Sequence, residues 1–296
     1  MRPKINLRLA MAQVSEHVAT DLTFAELVRA YCAVQFDGAD IRMRKWIEAF
    51  GNESAWALTT RQISLAAEAM AESGLYKPSS VNRDTSTLGT LYKWAIRRRL
   101  PPTGFVSPTL GVPRFKEDIR RVNIDDQEIA ALLAGAQAFS DRRFGVLVRL
   151  LIETGARRGE IMGRRWADVD LDARTITAEI TKTGAPRVLF FSEETATLMR
   201  RVWLKQAADE LLFESRRIRG QAIDYRRQWA DLTKAIGRPD LHVHDMRHHR
   251  AAELLRSGTT IAVAAQVLGH SSLILQRRYG HLETATLRAA TEASWH

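Results

Sequence analysis

From about residue 21 to 100 the apolar positions recur at intervals of three and four, the period of helices that each bury one face. TDLTFAELVRAYCAVQ places Phe24, Leu27, Val28, Tyr31 and Val34 on one stripe, with Thr and Asp ahead of it as candidate N-caps. RMRKWIEAFG (42–51), TTRQISLAAEAMAESG (59–74) and SSVNRDTSTLGTLYKWAIRRR (79–99) each begin near a polar cap or end near Gly or a basic turn. The pattern predicts a compact four-helix domain over 21–100, preceded by an N-terminal extension over 1–20. Arg97, Arg98 and Arg99 close the last helix, where positive charge suits the C-terminal end of the helix dipole.

PPTGFVSPTLGVPRFKED (101–118) holds four of the eight prolines and two glycines, the composition of a linker, and the domain boundary is placed there. In the second domain, 119–296, NIDDQEIAALLAGAQ (123–137) restarts a capped helix. RFGVLVRLLIETG (143–155) is apolar nearly all round and should be buried. Across 168–192 the period changes from helical to two: Ile176, Ala178 and Ile180 alternate with Thr175, Thr177 and Glu179. TGAP then turns the chain and VLFF returns it, a β-hairpin. Helices resume from 193, interrupted by an Arg-rich loop near 215–228 and a break at GRPD (237–240). The fold class expected is mainly α with a small β-hairpin or sheet, α+β.

Charge narrows the partners. The formal net charge is +10, and 36 of the 44 basic residues are Arg, whose planar fork of donors matches phosphate oxygens. A polyanion is favoured, although Arg written by a GC-rich genome onto a solvated surface accounts for part of the bias. No apolar run approaches the length of a membrane span, and the N-terminus lacks a signal-type apolar stretch, so a soluble, cytoplasmic protein is expected. Cys32 stands alone, which excludes an internal disulfide framework and a CxxC zinc site.

Four stretches could carry chemistry. In TGARRGEI (154–161), Gly155 can end the apolar helix, and Arg157 and Glu160 then share a face; an ordinary surface pair reads the same way. Lys182 has the strand parity of the inward residues beside the hairpin tip, where most lysines are merely solvated. In HVHDMRHHR (242–250), His244 and Arg247 are three apart on one helical face. Four histidines there also suggest a metal, against which neighbouring arginines and the lack of cysteine argue. In LGHSSLILQRRYGHL (268–282), Ser271 and Ser272 are good caps, so His270 and Tyr279 fall on either side of a helix start. A core tyrosine packed through Leu273 and Leu275 is the alternative there. Taken together, two arginines, a lysine, two histidines and a tyrosine suit the stabilisation of a pentavalent phosphate without magnesium, with the tyrosine as covalent nucleophile.

At these residues the chain resembles the tyrosine recombinases of the phage integrase family. TGARRGEI followed by RRWADVDL, Lys182 in TKTGAPR, HDMRH, LGH and RYGHL occur in the family's order and separations, covering roughly 120–285. The 20–100 segment resembles the family's core-binding, SAM-like helical domain more loosely, mainly through LGTLYKWAIRRRL. The resemblance implies that Arg157 and Arg247 grip the scissile phosphate and Lys182 protonates the leaving 5′ oxygen. His244 would assist proton transfer, His270 would hydrogen-bond the phosphate, and Tyr279 would form a 3′-phosphotyrosyl bond. Glu160 would orient Arg157. No cofactor, metal or ATP is implied. The implied partners are double-stranded recombination sites, with accessory DNA-bending proteins possible. A tetramer on DNA would be held through the tail HLETATLRAATEASWH, with Leu282 and Leu287 among its alanines. The two domains would form a C-shaped clamp, and Arg97, Arg98 and Arg99 are candidate backbone contacts. His249 and Arg250 stand where the family carries a small hydroxyl residue and an apolar one; Arg250 is read as a further phosphate contact.

Two other functions fit part of the pattern. A helix-turn-helix regulator would use TTIAVAAQVLGHSSLILQRRY, but leaves Arg157, Lys182, His244 and Arg247 without a role. A type IB topoisomerase would use the same kind of site to nick and reseal without exchange.

Overall fold

A computed structural model of the chain describes residues 22–34, 39–117, 122–178, 187–204, 206–269, 271–280, 288 and 291–292, with 39, 40 and 278 described through their backbone alone. The chain divides into two compact units, residues 1–120 and 121–296.

In the first unit the described helices are α1 (Phe24–Cys32), α2 (Ala39–Phe50), α3 (Thr60–Glu72) and α4 (Pro78–Arg97). Their starts follow local chemistry. Thr23 caps α1 and Thr59 caps α3, each in a reciprocal box with Glu26 or Gln62, which satisfies backbone N–H groups that a helix start leaves open. α4 begins instead with Pro78 in its first turn, where no N–H is needed. Phe24, Leu27, Val28 and Tyr31 face a core with Trp46, Leu88, Leu91 and Tyr92. Val34 does not join them: α1 ends at Cys32, and Val34 lies beyond it, 45% exposed.

The proline-rich stretch is strapped to this unit. Phe105, Val112 and Phe115 pack against its core. Asn82 Nδ2 donates to the Phe115 carbonyl (2.9 Å) and to Glu117 (2.7 Å), while the Phe115 N–H donates to Asn82 Oδ1 (2.9 Å). Linker composition thus marks a segment without helix or strand, held by side chains on α4.

The second unit is built around α6 (Arg142–Thr154), which follows α5 (Asp126–Gln137) and is buried along nearly its whole length. Its two buried charges have partners: Arg143 pairs with Asp141 (2.8 Å) and Arg149 with Glu194 (2.6 Å). After the short α7 (Arg158–Met162) comes an antiparallel sheet of β1 (Val169–Asp170), β2 (Thr175–Ala178) and β3 (Arg187–Phe190), in order β1-β2-β3. Ile176 and Ala178 point inward as their alternation requires, opposite Leu189 and Arg187 respectively. Thus β3 starts one residue before VLFF, and its inward face carries a charge. Then follow α8 (Glu193–Val202), α9 (Arg226–Ala235), α10 (Val243–Arg256), α11 (Ile261–Leu268) and α12 (Ser272–Tyr279). α10 packs on α6, α11 and α12, while α11 also reaches β3. None of the described helices is long and apolar enough to cross a membrane. The architecture is mostly helical with one small sheet, as the periodicities predict.

Candidate active site

The site forms where three chain segments meet: the α6–α7 turn, the start of β3 and the α11–α12 turn. Gly155 ends α6 at φ 59°, a left-handed conformation that lets the chain reverse within one residue. Any side chain there would collide with α11 and α10: a Cβ would stand 2.6 Å from Leu268 Cδ2 and 3.1 Å from Arg250 Cβ. Gly269 ends α11 in the same way, at φ 63°, and a Cβ there would stand 2.6 Å from Nη1 of Arg187. Two glycines therefore permit the close approach of β3, α6 and α11.

Arg157 follows the first turn. Its backbone N–H and its Nη1 each donate to Glu160, at 2.8 Å, and its Nη2 donates to the Gly269 carbonyl at 3.3 Å. Arg247, on α10, donates from Nη1 to the Gly155 carbonyl (2.9 Å) and from Nη2 to the same Gly269 carbonyl (3.4 Å). The two arginines named from sequence, 90 residues apart in the chain, thus converge on one carbonyl oxygen. At 1% exposure, Arg247 is among the largest fully buried side chains in the molecule.

A third arginine belongs to this cluster. Arg187, 7% exposed, reaches inward from β3 to Glu160 (3.3 Å) and to the Leu268 carbonyl. Its Nε and Nη2 are buried without a hydrogen-bond partner among the described residues. Extending the inward alternation of Leu189 back by two residues reaches Arg187, so strand parity could have found it. The TGAP turn hid it by making the strand seem to begin at Val188.

Among the described residues of the cluster, one carboxylate, Glu160, serves three guanidiniums. Burial works against its charge, but the Arg157 N–H, the Arg187 cation and the Arg157 guanidinium together hold its carboxyl below the ordinary range. The cations are crowded: burial, then repulsion from Arg157 and Arg187, pushes Arg247 down to about 9. Arg187 is also lowered, by burial and by Arg157, against the pull of Glu160. A preformed set of like charges, with Arg187 and Arg247 buried and Arg157 exposed, gains most when an anion arrives.

Tyr279 closes the cluster from the end of α12. Ser271 caps that helix, accepting from the Ile274 N–H, so the helix starts where the serine pair predicts. Leu275 is buried beneath it, whereas Leu273 points out, 57% exposed, so only one of the two expected packing partners is inside. The Tyr279 hydroxyl lies 2.6 Å from Nδ1 of His248. His244 is exposed at the start of α10, and its ring meets that of His248 edge-on at 4.8 Å. His248, the last residue of HDMRH, joins the site through a signal the sequence does carry, its spacing of four from His244, one turn along the same face.

The remaining sequence candidates fall elsewhere. Lys182 and His270 lie outside the described residues, as does most of the tail with Leu282 and Leu287. Arg250 is half-buried, pairs with Glu253 (2.8 Å) and lays its stem against the Gly155 turn. Arg97, Arg98 and Arg99 are exposed at the end of α4, with Arg98 over the Trp94 ring at 5.0 Å. Among the described residues no three His, Cys, Asp or Glu side chains gather so as to hold a metal ion.

The chain is similar to proteins already known. The model of the phage integrase family matches residues 123–286. Over 235 residues the chain is 30% identical to tyrosine recombinase XerC of Mycobacterium tuberculosis, covering 72% of this chain and 76% of that protein. Tyrosine recombinase XerA of Saccharolobus solfataricus is 29% identical over 165 residues, 56% of this chain and 54% of that one. Among solved structures, the Tn1549 transposon integrase in complex with a circular intermediate DNA has a TM-score of 0.72 at 18% identity, covering 92% of this chain and 100% of the other. A lambda integrase tetramer bound to a Holliday junction has a TM-score of 0.63 at 16% identity, covering 90% and 85%.

Proposed function

The chain belongs to the phage integrase family of tyrosine recombinases, enzymes that cleave and rejoin DNA strands, and on that premise we propose how its own residues do so. Tyr279 is the nucleophile. Its Oη bonds to the phosphorus of the scissile phosphodiester, the bond from phosphorus to the 5′ oxygen breaks, and the protein is left on the 3′ phosphate. The leaving oxygen takes a proton from Lys182, and His270 hydrogen-bonds the phosphate; both assignments rest on the TKTGAPR and LGH motifs. Arg157 and Arg247 bind the non-bridging oxygens and offset the charge of the pentavalent phosphate. Glu160 and Arg187 hold Arg157 and the Gly269 turn in place. A 5′ hydroxyl from a partner strand reverses the step, exchanging one phosphodiester for another without ATP.

One observation carries this reading: Arg157 and Arg247 meet at the Gly269 carbonyl, and the helix that bears Tyr279 begins three residues further on. A helix-turn-helix regulator has no use for a fully buried guanidinium, Arg247, paired at its turn with the exposed Arg157. The type IB topoisomerase reading loses its ground to the relatives, which are recombinases and integrases.

The DNA partner is a duplex recombination site, bound through phosphate contacts that Arg97, Arg98, Arg99 and Arg250 would supplement. Four copies would assemble on two sites through the C-terminal tail, within reach of the nucleoid. The lambda integrase tetramer on a Holliday junction supports that assembly. The test is strand exchange on duplexes that the protein selects from a randomised library. Two-site substrates should yield recombinants and junction intermediates; relaxation of supercoils without exchange would overturn the recombination reading.

A further inference from the structure

The phenol of Tyr279 is not left to solvent. Its oxygen lies 2.6 Å from Nδ1 of His248, with the two ring centroids 6.2 Å apart. His248 follows Arg247 directly on α10, so one helical turn presents both the guanidinium proposed to grip the phosphate and the imidazole that touches the proposed nucleophile. Tyr279 also stands close enough to Arg247 for a phenolate to act on that cation. The hydroxyl is therefore held by a base whose neighbour on α10 is the anion-binding group.

We propose that His248 is the catalytic proton acceptor for Tyr279, an inference that rests on Tyr279 being the nucleophile. Neutral Nδ1 accepts the hydrogen bond from Oη, which fixes the direction of the oxygen lone pair. As Oη bonds to phosphorus its proton passes to Nδ1, and the bond from phosphorus to the 5′ oxygen breaks, that oxygen taking a proton from Lys182. Rejoining runs the same path backwards: the 5′ hydroxyl attacks phosphorus and gives up its proton to Lys182, Oη leaves, and His248 returns the proton to it. A phenol ordinarily loses its proton near pH 10 and an imidazolium near 6.5, so the transfer is uphill at rest and becomes favourable only as the new bond forms. That ordering suits a nucleophile that must stay protonated until a phosphate is in place. His244, edge-on to the His248 ring at 4.8 Å, lies next along the path to solvent-exposed positions and assists the imidazolium once formed.

The experiment is single-turnover cleavage at saturating protein, on nicked duplex of the selected sequence. It is run with the natural 5′ oxygen and with sulfur in its place, a leaving group that departs without a proton. His248→Ala is expected to form the covalent adduct about 10²-fold more slowly, within the range for loss of a positioned acid or base. DNA affinity by gel shift should stay unchanged, and the same deficit should appear on the sulfur substrate. Lys182→Ala, by contrast, should recover on sulfur. If His248→Ala does not fold, His248→Asn is read in its place, since it keeps an acceptor near the Nδ1 position that takes no proton near neutrality. An undiminished rate, a faster one, or a deficit that disappears on sulfur would each overturn the role of His248. Tyr279→Phe runs in parallel: an adduct surviving in it, or no adduct with the unaltered protein, overturns the nucleophile itself. Loss there beside a normal His248→Ala overturns the present inference alone.

Discussion

Replacing Gly269 by alanine puts a methyl carbon 2.6 Å from Nη1 of Arg187 and 3.1 Å from its Cδ, well inside contact distance. Nη1 cannot swing aside freely, because it donates to Glu160 and to the Leu268 carbonyl from a side chain only 7% exposed. The backbone contributes separately: at φ 63° an alanine sits in the left-handed region, which costs roughly 1–2 kcal/mol. Losing a hydrogen bond to a charged group in a buried place costs roughly 1.5–3 kcal/mol more. The expected total is about 2.5–5 kcal/mol, a fall in melting temperature of roughly 5–20 °C for a unit of this size. Urea and thermal unfolding of the wild type, Gly269→Ala, Arg187→Met and the double variant measure it. Methionine at 187 removes Nη1, the nearer clash atom, together with its buried hydrogen bonds, so alanine at 269 should then cost little more than the backbone share, about 1–2 kcal/mol. Costs that add within about 0.5 kcal/mol would show that the two residues do not touch, and would refute this account of the turn.

Glu160→Gln tests the ion-pair cluster by pH. The Glu160 carboxyl titrates below its ordinary 4.5 in the folded protein, so its contribution is present above that value and lost as pH falls through the folded one. The stability gap between wild type and Glu160→Gln should accordingly be full at neutral pH and close as the solution is taken below 4.5; a gap that persists there contradicts the charge assignment. Asn82→Ala removes the three hydrogen bonds that tie 115–117 to α4, and should cost about 2–3 kcal/mol and expose that strap to protease. Unchanged protease resistance would contradict the strap. Arg247→Lys keeps the charge but cannot reach both the Gly155 and Gly269 carbonyls; cleavage should fall by about 10²–10³, and a near-normal rate would show that the fork is not used.

Most of the architecture could be read from the chain because its signals are local. The capping pairs at Thr23, Thr59 and Asp125, the glycine after α6 and the serine before α12 each act within a few residues. The alternation through Ile176 and Ala178 likewise needs only neighbours. Arg187 and His248 were missed for a different reason: their roles exist only across the fold, where β3 meets the α11 turn and α10 meets α12. Composition misleads at 101–117, since prolines report the lack of a ladder, whereas Asn82 decides that the segment is tied down.

The central claim, that Tyr279 becomes covalently joined to DNA in a site built by Arg157 and Arg247, is tested most directly on a denaturing gel. Wild-type protein is incubated with nicked duplex of the selected sequence in the presence of EDTA. The account predicts a slow-migrating protein–DNA adduct that disappears in Tyr279→Phe while gel-shift binding is retained. An undiminished adduct in Tyr279→Phe would contradict it.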